Sequence, residues 1–252
     1  MSRDVGAAHG GFSADSTSFE KPQHIVFPGG GVFFWWQSGT IQALKEKYDL
    51  KNGNFQMYGA SAGSISSVLA ACGVDLKYAM SVALAHPTNE LNTHADRIER
   101  WLHGILPEDC HELCSNKVNI SITTITMSFI PLHRKVISVF FSKQDVVDCC
   151  LTSCHIPYLL DGNFSRVFRG EHCVDGSFLF FLHCTPWDRK ELELNGKQKT
   201  LLIYHRNDKE LLKHHWSIFH VLDAPSTVAM FNLGYEYGKR FLTQQETDKS
   251  HN

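Results

Sequence analysis

A serine set among small residues, between a strand-like and a helix-like segment, is the part of this sequence best suited to chemistry. The serine is Ser61 in Gly59-Ala60-Ser61-Ala62-Gly63, which has the pattern G-x-S-x-G. The apolar residues 55–58 before it predict a buried strand, and residues 64–72 after it predict a helix that ends at Gly73. A strand, a sharp turn and a helix in this order expose a serine oxygen as a nucleophile. On this pattern alone, a small-residue turn without chemistry is the alternative.

A glycine run near the start of the chain could stabilise a developing negative charge. Residues 23–27 predict a buried first strand, which leads into Pro28-Gly29-Gly30-Gly31 and then into a helical pattern over residues 32–47. The run is neither a P-loop, because no Gly-Lys-Ser/Thr follows, nor a dinucleotide fingerprint. The chemistry left is an oxyanion hole, in which the N–H groups of Gly29, Gly30 and Gly31 bind the oxygen of an acyl-transfer intermediate. A connecting turn is again the alternative.

A carboxylate follows a later apolar segment. Asp175 comes directly after Val174 and before Gly176, which predicts an acidic side chain at a loop tip. Asp-Gly is also an ordinary turn sequence.

The rest of the chain predicts alternating helices and strands around one sheet. Pro131-Leu132-His133 is interpreted as a turn between two strands, and Ser142 as a helix cap. The predicted helices are residues 74–85, 89–106, 142–153 and 225–242, and the predicted strands are residues 118–128, 135–141 and 200–204.

Composition narrows the class of protein. The 252 residues are 43% hydrophobic and 20% charged, which fits one large α/β domain. The formal net charge of −2 gives no basic footprint for nucleic acid, and no apolar run approaches the ~20 residues that cross a bilayer. The first 20 residues contain no apolar signal-like stretch, so we expect a cytoplasmic protein with reduced cysteines. No cysteine or histidine spacing matches a zinc site, and we expect neither metal nor cofactor.

Taken together, these blocks resemble the patatin-like phospholipase family, and within it the adiponutrin and adipose triglyceride lipase branch. The resemblance spans most of residues 23–243 and depends on the order and spacing of the blocks. The blocks are Gly29-Gly30-Gly31 with Gly39, then Gly59–Gly63, Thr152–Tyr158, Phe168-Arg169-Gly170, Val174-Asp175-Gly176, and finally Pro225, Met230, Gly234-Tyr235, Gly238 and Arg240–Leu242.

The resemblance implies a three-layer α/β/α fold with a central, mostly parallel sheet and a nucleophile elbow at Gly59–Gly63. It also implies a Ser–Asp dyad that cleaves ester bonds of glycerolipids or phospholipids. Ser61 would attack the ester carbonyl, while Asp175, followed by Gly176, would take its proton and return it to the leaving alcohol. Gly29, Gly30 and Gly31 match the family's oxyanion loop.

The resemblance further implies a domain over residues 23–243, between a flexible leader at residues 1–22 and a polar tail at residues 244–252. A protein of this kind would bind transiently to membranes or lipid droplets. Its protein partners are not indicated by the sequence.

Four positions depart from the family pattern, and one of them is Phe34, which stands where a glycine is common. Pro28 and Phe33 stand where many members have Asp and Arg, and the missing arginine favours neutral glycerolipids over phospholipids. Ser177 stands where Gly or Ala is usual, and it is followed by an apolar stretch at residues 180–182.

Several alternatives stay open at this point. The enzyme could transfer the acyl group to a lipid hydroxyl instead of water. It could instead be an α/β-hydrolase whose triad uses His205 or His214, or a lipid-binding protein without catalysis. His183 and Asp188 imitate an acyltransferase signature, but a chain with 15 histidines matches it easily by chance.

Overall fold

A computed structural model describes residues 23–85, 93–126, 131–179 and 200–250 of the chain, with side chains up to residue 243. The predicted leader at residues 1–22 and the pair His183 and Asp188 lie outside the described residues. The strands are β1 (His24–Phe27), β2 (Gln56–Ala60), β3 (Val118–Ile125), β4 (Leu132–Ile137), β5 (Arg166–Phe168), β6 (Glu171–Val174) and β7 (Thr200–Leu202). The helices are α1 (Phe34–Leu44), α2 (Ala62–Cys72), α3 (Leu76–Ala85), α4 (His94–Ile105), α5 (Cys110–Cys114), α6 (Lys143–Ser153) and α7 (Ala224–Ser250).

The seven strands form one sheet with a parallel centre. Its order is β5-β6-β3-β2-β1-β7, and β4 also pairs with β3. The neighbouring strands β3, β2, β1 and β7 run parallel, whereas the pairs β3–β4, β3–β6 and β5–β6 are antiparallel. All four residues of β1 are buried, although alternate residues of a strand face opposite sides. Both faces of the sheet are therefore covered, which confirms the predicted three-layer α/β/α fold with a mostly parallel sheet.

The pairing of β3 brings two distant chain segments together. Strand β4 pairs with β3 along one edge, from Ile120 to Ile125. The other edge is shared: β2 ends with Ala60 opposite Ser121, and β6 ends with Val174 opposite Thr123. Because β2 runs parallel to β3 and β6 runs antiparallel, their carboxyl ends meet along that edge.

Several predicted boundaries were wrong, and two of these errors have a clear physical reason. Leu132 and His133 are not a turn but the first residues of β4, where they pair with Ile125 and Thr124. Pro131 favours a turn over residues 131–133, but a proline is also tolerated at the start of a strand. The helix predicted from residue 89 begins after Thr93, whose hydroxyl accepts the Asp96 N–H while the Asp96 carboxylate accepts the Thr93 N–H, 3.1 Å each.

Helices α1 and α7 cross at glycines, with their backbones in direct contact. A Cβ atom on Gly39 would lie 1.9 Å from the Phe231 carbonyl oxygen, and one on Gly234 would lie 1.9 Å from the Trp36 carbonyl oxygen. The Thr40 hydroxyl is 3.0 Å from both the Trp36 and the Gly234 carbonyl oxygens. This crossing explains why glycines recur at these positions in the blocks that carry the resemblance.

We expect Gly39→Ala and Gly234→Ala each to lower the free energy of unfolding by about 2–3 kcal/mol, because the added methyl group must push the two helix backbones apart. The matched control is Gly104→Ala on α4, where a Cβ would meet nothing within 4 Å. That change should raise stability by about 0.5–1 kcal/mol through lower chain entropy. Urea unfolding checks all three, and equal stabilities of the three variants would contradict the crossing.

Candidate active site

Ser61 occupies a strained turn between a strand and a helix. It follows Ala60, the last residue of β2, and precedes Ala62, the first residue of α2. Its φ of 52° and ψ of −134° are unusual for a residue with a side chain. The turn is tight because a Cβ atom on Gly63 would lie 1.9 Å from the Phe27 carbonyl oxygen, and one on Gly59 would lie 2.3 Å from the Gly63 carbonyl oxygen. The predicted strand–turn–helix therefore exists, and both glycines are needed for it.

Asp175 is fully buried just beyond the end of β6. Its N–H donates to the His155 carbonyl at 2.8 Å, and its own carbonyl accepts the Thr123 hydroxyl at 2.9 Å. The Ser177 N–H donates to Asp175 Oδ1 at 2.7 Å, so this carboxylate oxygen is satisfied within its own loop. The backbone of Asp175 is thus held by hydrogen bonds to His155 and Thr123, independently of its side chain.

The Ser153 side chain and backbone join the serine turn to the aspartate loop. Its hydroxyl accepts the Ser61 N–H at 2.9 Å and donates to the Ser121 carbonyl at 2.7 Å. Its carbonyl accepts the Gly176 N–H at 2.9 Å. Ser153 lies in the block Thr152–Tyr158 that contributes to the family resemblance, but the sequence indicates no role for it. A polar residue at the end of a buried helix was the signal available.

The glycine loop lies beside the serine turn with its donors unused. Within the described residues, no hydrogen-bond acceptor meets the N–H groups of Gly29, Gly30 or Gly31, whereas the Val32 N–H donates to the Ile218 carbonyl at 3.1 Å. A Cβ atom on Gly29 would lie 3.0 Å from Ser61 Cβ. The Ala62 N–H, at the start of α2, is likewise unpaired there. These are free donors on both sides of Ser61.

The buried side chain of Gln37 holds the glycine loop against α2. Its amide donates to the Pro28 carbonyl at 2.7 Å, and its carbonyl accepts the Ser66 hydroxyl at 2.6 Å. The sequence reasoning missed Gln37 because a lone glutamine in an aromatic helix resembles a solvent-facing residue. The structure instead buries it completely.

The pKa of Asp175 lies closer to neutral pH than that of an ordinary aspartate. Burial raises the pKa of Asp175 to about 6, and the opposing effects of the Ser61 hydroxyl and of the Ser177 N–H and hydroxyl are smaller. Asp175 Oδ2 has no hydrogen-bond partner among the described residues. Catalytic hydrogen bonds are often incomplete until a substrate is bound.

Neither histidine of the alternative triad is hydrogen-bonded to Ser61 or Asp175 in the described part of the chain. His205 stacks on Phe33 with ring centroids 4.2 Å apart, and burial lowers its pKa to about 4. His214 is exposed and stacks on Trp216. In the described part of the chain, these two histidines therefore lack the hydrogen bonds that a Ser–Asp–His triad needs.

The described residues offer neither a metal site nor a membrane-spanning helix. They contain no group of three or more His, Cys, Asp or Glu side chains that could hold a metal ion. None of their helices is long and apolar enough to cross a membrane.

Comparison with known proteins places this chain in one family. Residues 25–183, well over half the chain, match the family model described as patatin-like phospholipase. The omega-hydroxyceramide transacylase of Mus musculus is 26% identical over 179 residues, covering 67% of this chain and 29% of that protein. The 1-acylglycerol-3-phosphate O-acyltransferase Pnpla3 of Mus musculus is 29% identical over 171 residues, covering 62% and 40%. This chain therefore spans less than half the length of these two relatives.

Among solved structures, VipD from Legionella pneumophila superposes with a TM-score of 0.48 at 14% identity, over 89% of this chain and 67% of VipD. The family is therefore shown by the sequence match over residues 25–183 rather than by this superposition. That match confirms the resemblance inferred from the blocks, and this chain belongs to the patatin-like phospholipase family of lipid hydrolases and acyltransferases.

Proposed function

We propose that this protein is a serine acyl hydrolase that cleaves ester bonds of glycerolipids, with residues 23–243 as its catalytic unit. One observation carries the proposal: the elements bearing Ser61 and Asp175 end beside each other on the shared edge of β3, next to unused glycine N–H groups. Membership of the patatin-like phospholipase family supports the reaction class.

In the proposed reaction, Ser61 Oγ attacks the ester carbonyl carbon as its proton passes to Asp175 Oδ2. The carbonyl oxygen becomes an oxyanion that accepts hydrogen bonds from the glycine loop and from the Ala62 N–H. When the C–O bond to the alcohol breaks, Asp175 returns the proton to the leaving oxygen, which leaves an acyl group on Ser61. A second hydroxyl compound then attacks this acyl-enzyme by the same steps in reverse.

Transfer of the acyl group to an alcohol is a second candidate. The two relatives named above are a transacylase and an O-acyltransferase, and both names describe the transfer of an acyl group. Hydrolysis and transfer share the acyl-enzyme and differ only in which compound attacks it.

We also propose that the protein adsorbs to a membrane or lipid-droplet surface. The support is a short segment that contacts the glycine loop: Ile218 accepts the Val32 N–H, and the nearby Phe219 and Val221 side chains are 58% and 87% exposed. A lipid surface would cover these apolar side chains. Phe33, which follows the glycine loop, stacks on His205, and the lowered pKa of His205 keeps its ring neutral. An uncharged pair of rings at this place suits an uncharged glycerolipid.

We expect a fluorophosphonate probe to label the wild-type protein but not Ser61→Ala. Hydrolysis of p-nitrophenyl butyrate and of diacylglycerol should fall at least about 1,000-fold in Ser61→Ala and about 100-fold or more in Asp175→Asn. The matched control is Asp148→Asn, which removes a partly exposed carboxylate paired with Arg166 at 2.8 Å and should change kcat/KM less than about twofold. Labelling or turnover that survives Ser61→Ala in a folded variant would refute the proposed nucleophile.

We expect kcat/KM to fall on the acid side with a midpoint near pH 6, because only ionised Asp175 can accept the serine proton. A rate profile from pH 4.5 to 8.5 with p-nitrophenyl butyrate measures this midpoint. A midpoint near 4, the ordinary value of an aspartate, would show that the working base is not buried Asp175.

Asp175 should also limit stability. Because its folded-state pKa of about 6 exceeds the unfolded value of about 3.9, the folded chain binds more protons between pH 4 and 6, and stability falls as pH rises through that window. Asp175→Asn should therefore raise the free energy of unfolding by about 1–3 kcal/mol at pH 7.5 and by almost nothing near pH 4. Urea unfolding at both pH values is the measurement, and a gain independent of pH would contradict it.

A further inference from the structure

The Ser177 hydroxyl is a buried polar group that the proposed dyad does not use. The side chain is 1% exposed, and its Oγ has no hydrogen-bond partner among the described residues. It faces the reactive centre, because a Cβ atom on Gly29 would lie 2.3 Å from Ser177 Oγ and 3.0 Å from Ser61 Cβ.

A second unpaired atom lies in the same place. Asp175 Oδ2 is buried without a partner, and the Ser177 hydroxyl is near enough to affect the carboxylate electrostatically. The backbone of Ser177 is bound to Asp175 Oδ1 at 2.7 Å, which fixes the serine beside the carboxylate. Unpaired buried polar groups cost stability, and in native proteins such groups commonly meet a water or a ligand. Two of them side by side supply the polar contacts that one bound oxygen needs.

We propose that Ser177 Oγ and Asp175 Oδ2 together bind the hydroxyl compound that attacks the acyl-enzyme. The inference rests on the proposed function and deepens it, since it names the group that receives the acceptor. The ligand class is a small hydroxyl oxygen, either water or the hydroxyl of an alcohol. Asp175 Oδ2 accepts the hydrogen of the acceptor O–H, and Ser177 Oγ makes the second hydrogen bond that aims its oxygen.

The step balances without any further reagent. The acceptor oxygen forms a bond to the acyl carbon while its proton passes to Asp175 Oδ2. The tetrahedral intermediate then breaks its bond to Ser61 Oγ, which takes the proton back from Asp175. The products are the free acid when the acceptor is water and a new ester when it is an alcohol. Ser61 is regenerated as the free hydroxyl in both cases.

The test separates attack by Ser61 from attack by the acceptor, using Ser177→Ala and Ser177→Gly. Fluorophosphonate labelling needs Ser61 but no acceptor, so its rate should stay within about twofold of the wild type. Turnover is then followed with p-nitrophenyl butyrate in buffer containing glycerol, and butyric acid and butyrylglycerol are quantified. We expect the ratio of the two products to change at least threefold, and turnover to fall about tenfold where attack on the acyl-enzyme limits the rate.

The matched control is Ser38→Ala on α1, which removes another serine hydroxyl that is 1% exposed and unpaired. It should leave labelling, turnover and the product ratio as in the wild type, and all three serine variants should melt at or above the wild-type temperature. An unchanged product ratio in both Ser177 variants would overturn the proposal, as would a loss of labelling equal to the loss of turnover. If Ser61→Ala still turns over the ester, the proposed function itself fails, and that outcome is distinct from either result at Ser177.

Discussion

The shared edge of β3 is the constraint on which the rest of the site depends. A strand has two hydrogen-bonding edges, and β4 takes one of them along its length. The other edge must accept β2 from one direction and β6 from the other, and only Ile122 lies between their last partners. Residues 114 positions apart in the chain are thereby held together by backbone hydrogen bonds. Only short hydroxyl contacts, such as those of Ser153 with the Ser61 N–H and the Ser121 carbonyl, are then needed to complete the arrangement.

A carboxylate with a pKa near 6 needs surroundings that disfavour its ionised form, and such surroundings lower the stability of the folded protein at neutral pH. Burial disfavours the ionised carboxylate of Asp175, and its partners in the described structure satisfy only Oδ1. The same features would make the carboxylate basic enough to accept a serine proton. The strained backbone of Ser61 is a second local cost of this kind. The well-paired loops around both residues, and the close packing of α1 on α7, provide the stability against which these costs are set.

The sequence predicted the elements and the family well, because strands in a covered sheet and glycines at backbone contacts leave strong local patterns. It could also indicate Ser61, Asp175 and the glycine loop as a set, through their order in the chain. It could not predict that β2 and β6 share an edge, since register is decided by pairing rather than by local composition. Gln37 and Ser153 were missed for a related reason: all of their partners except the Ser66 hydroxyl are backbone carbonyl and N–H groups, which every residue carries. The turn predicted at residues 131–133 was wrong because Leu132 and His133 pair with Ile125 and Thr124 of β3.

The position of the first and last elements has a consequence for how the chain reaches its native state. Strand β1 lies between β2 and β7, so the middle of the sheet is incomplete until Thr200–Leu202 has joined it. Helix α1 also finds its closest neighbour in α7, nearly 200 residues later in the chain. Contacts of such long sequence separation are slow to form. A ribosome-bound chain would therefore hold an exposed, apolar strand edge at least until residues 200–202 have been synthesised, and exposed edges of this kind favour aggregation.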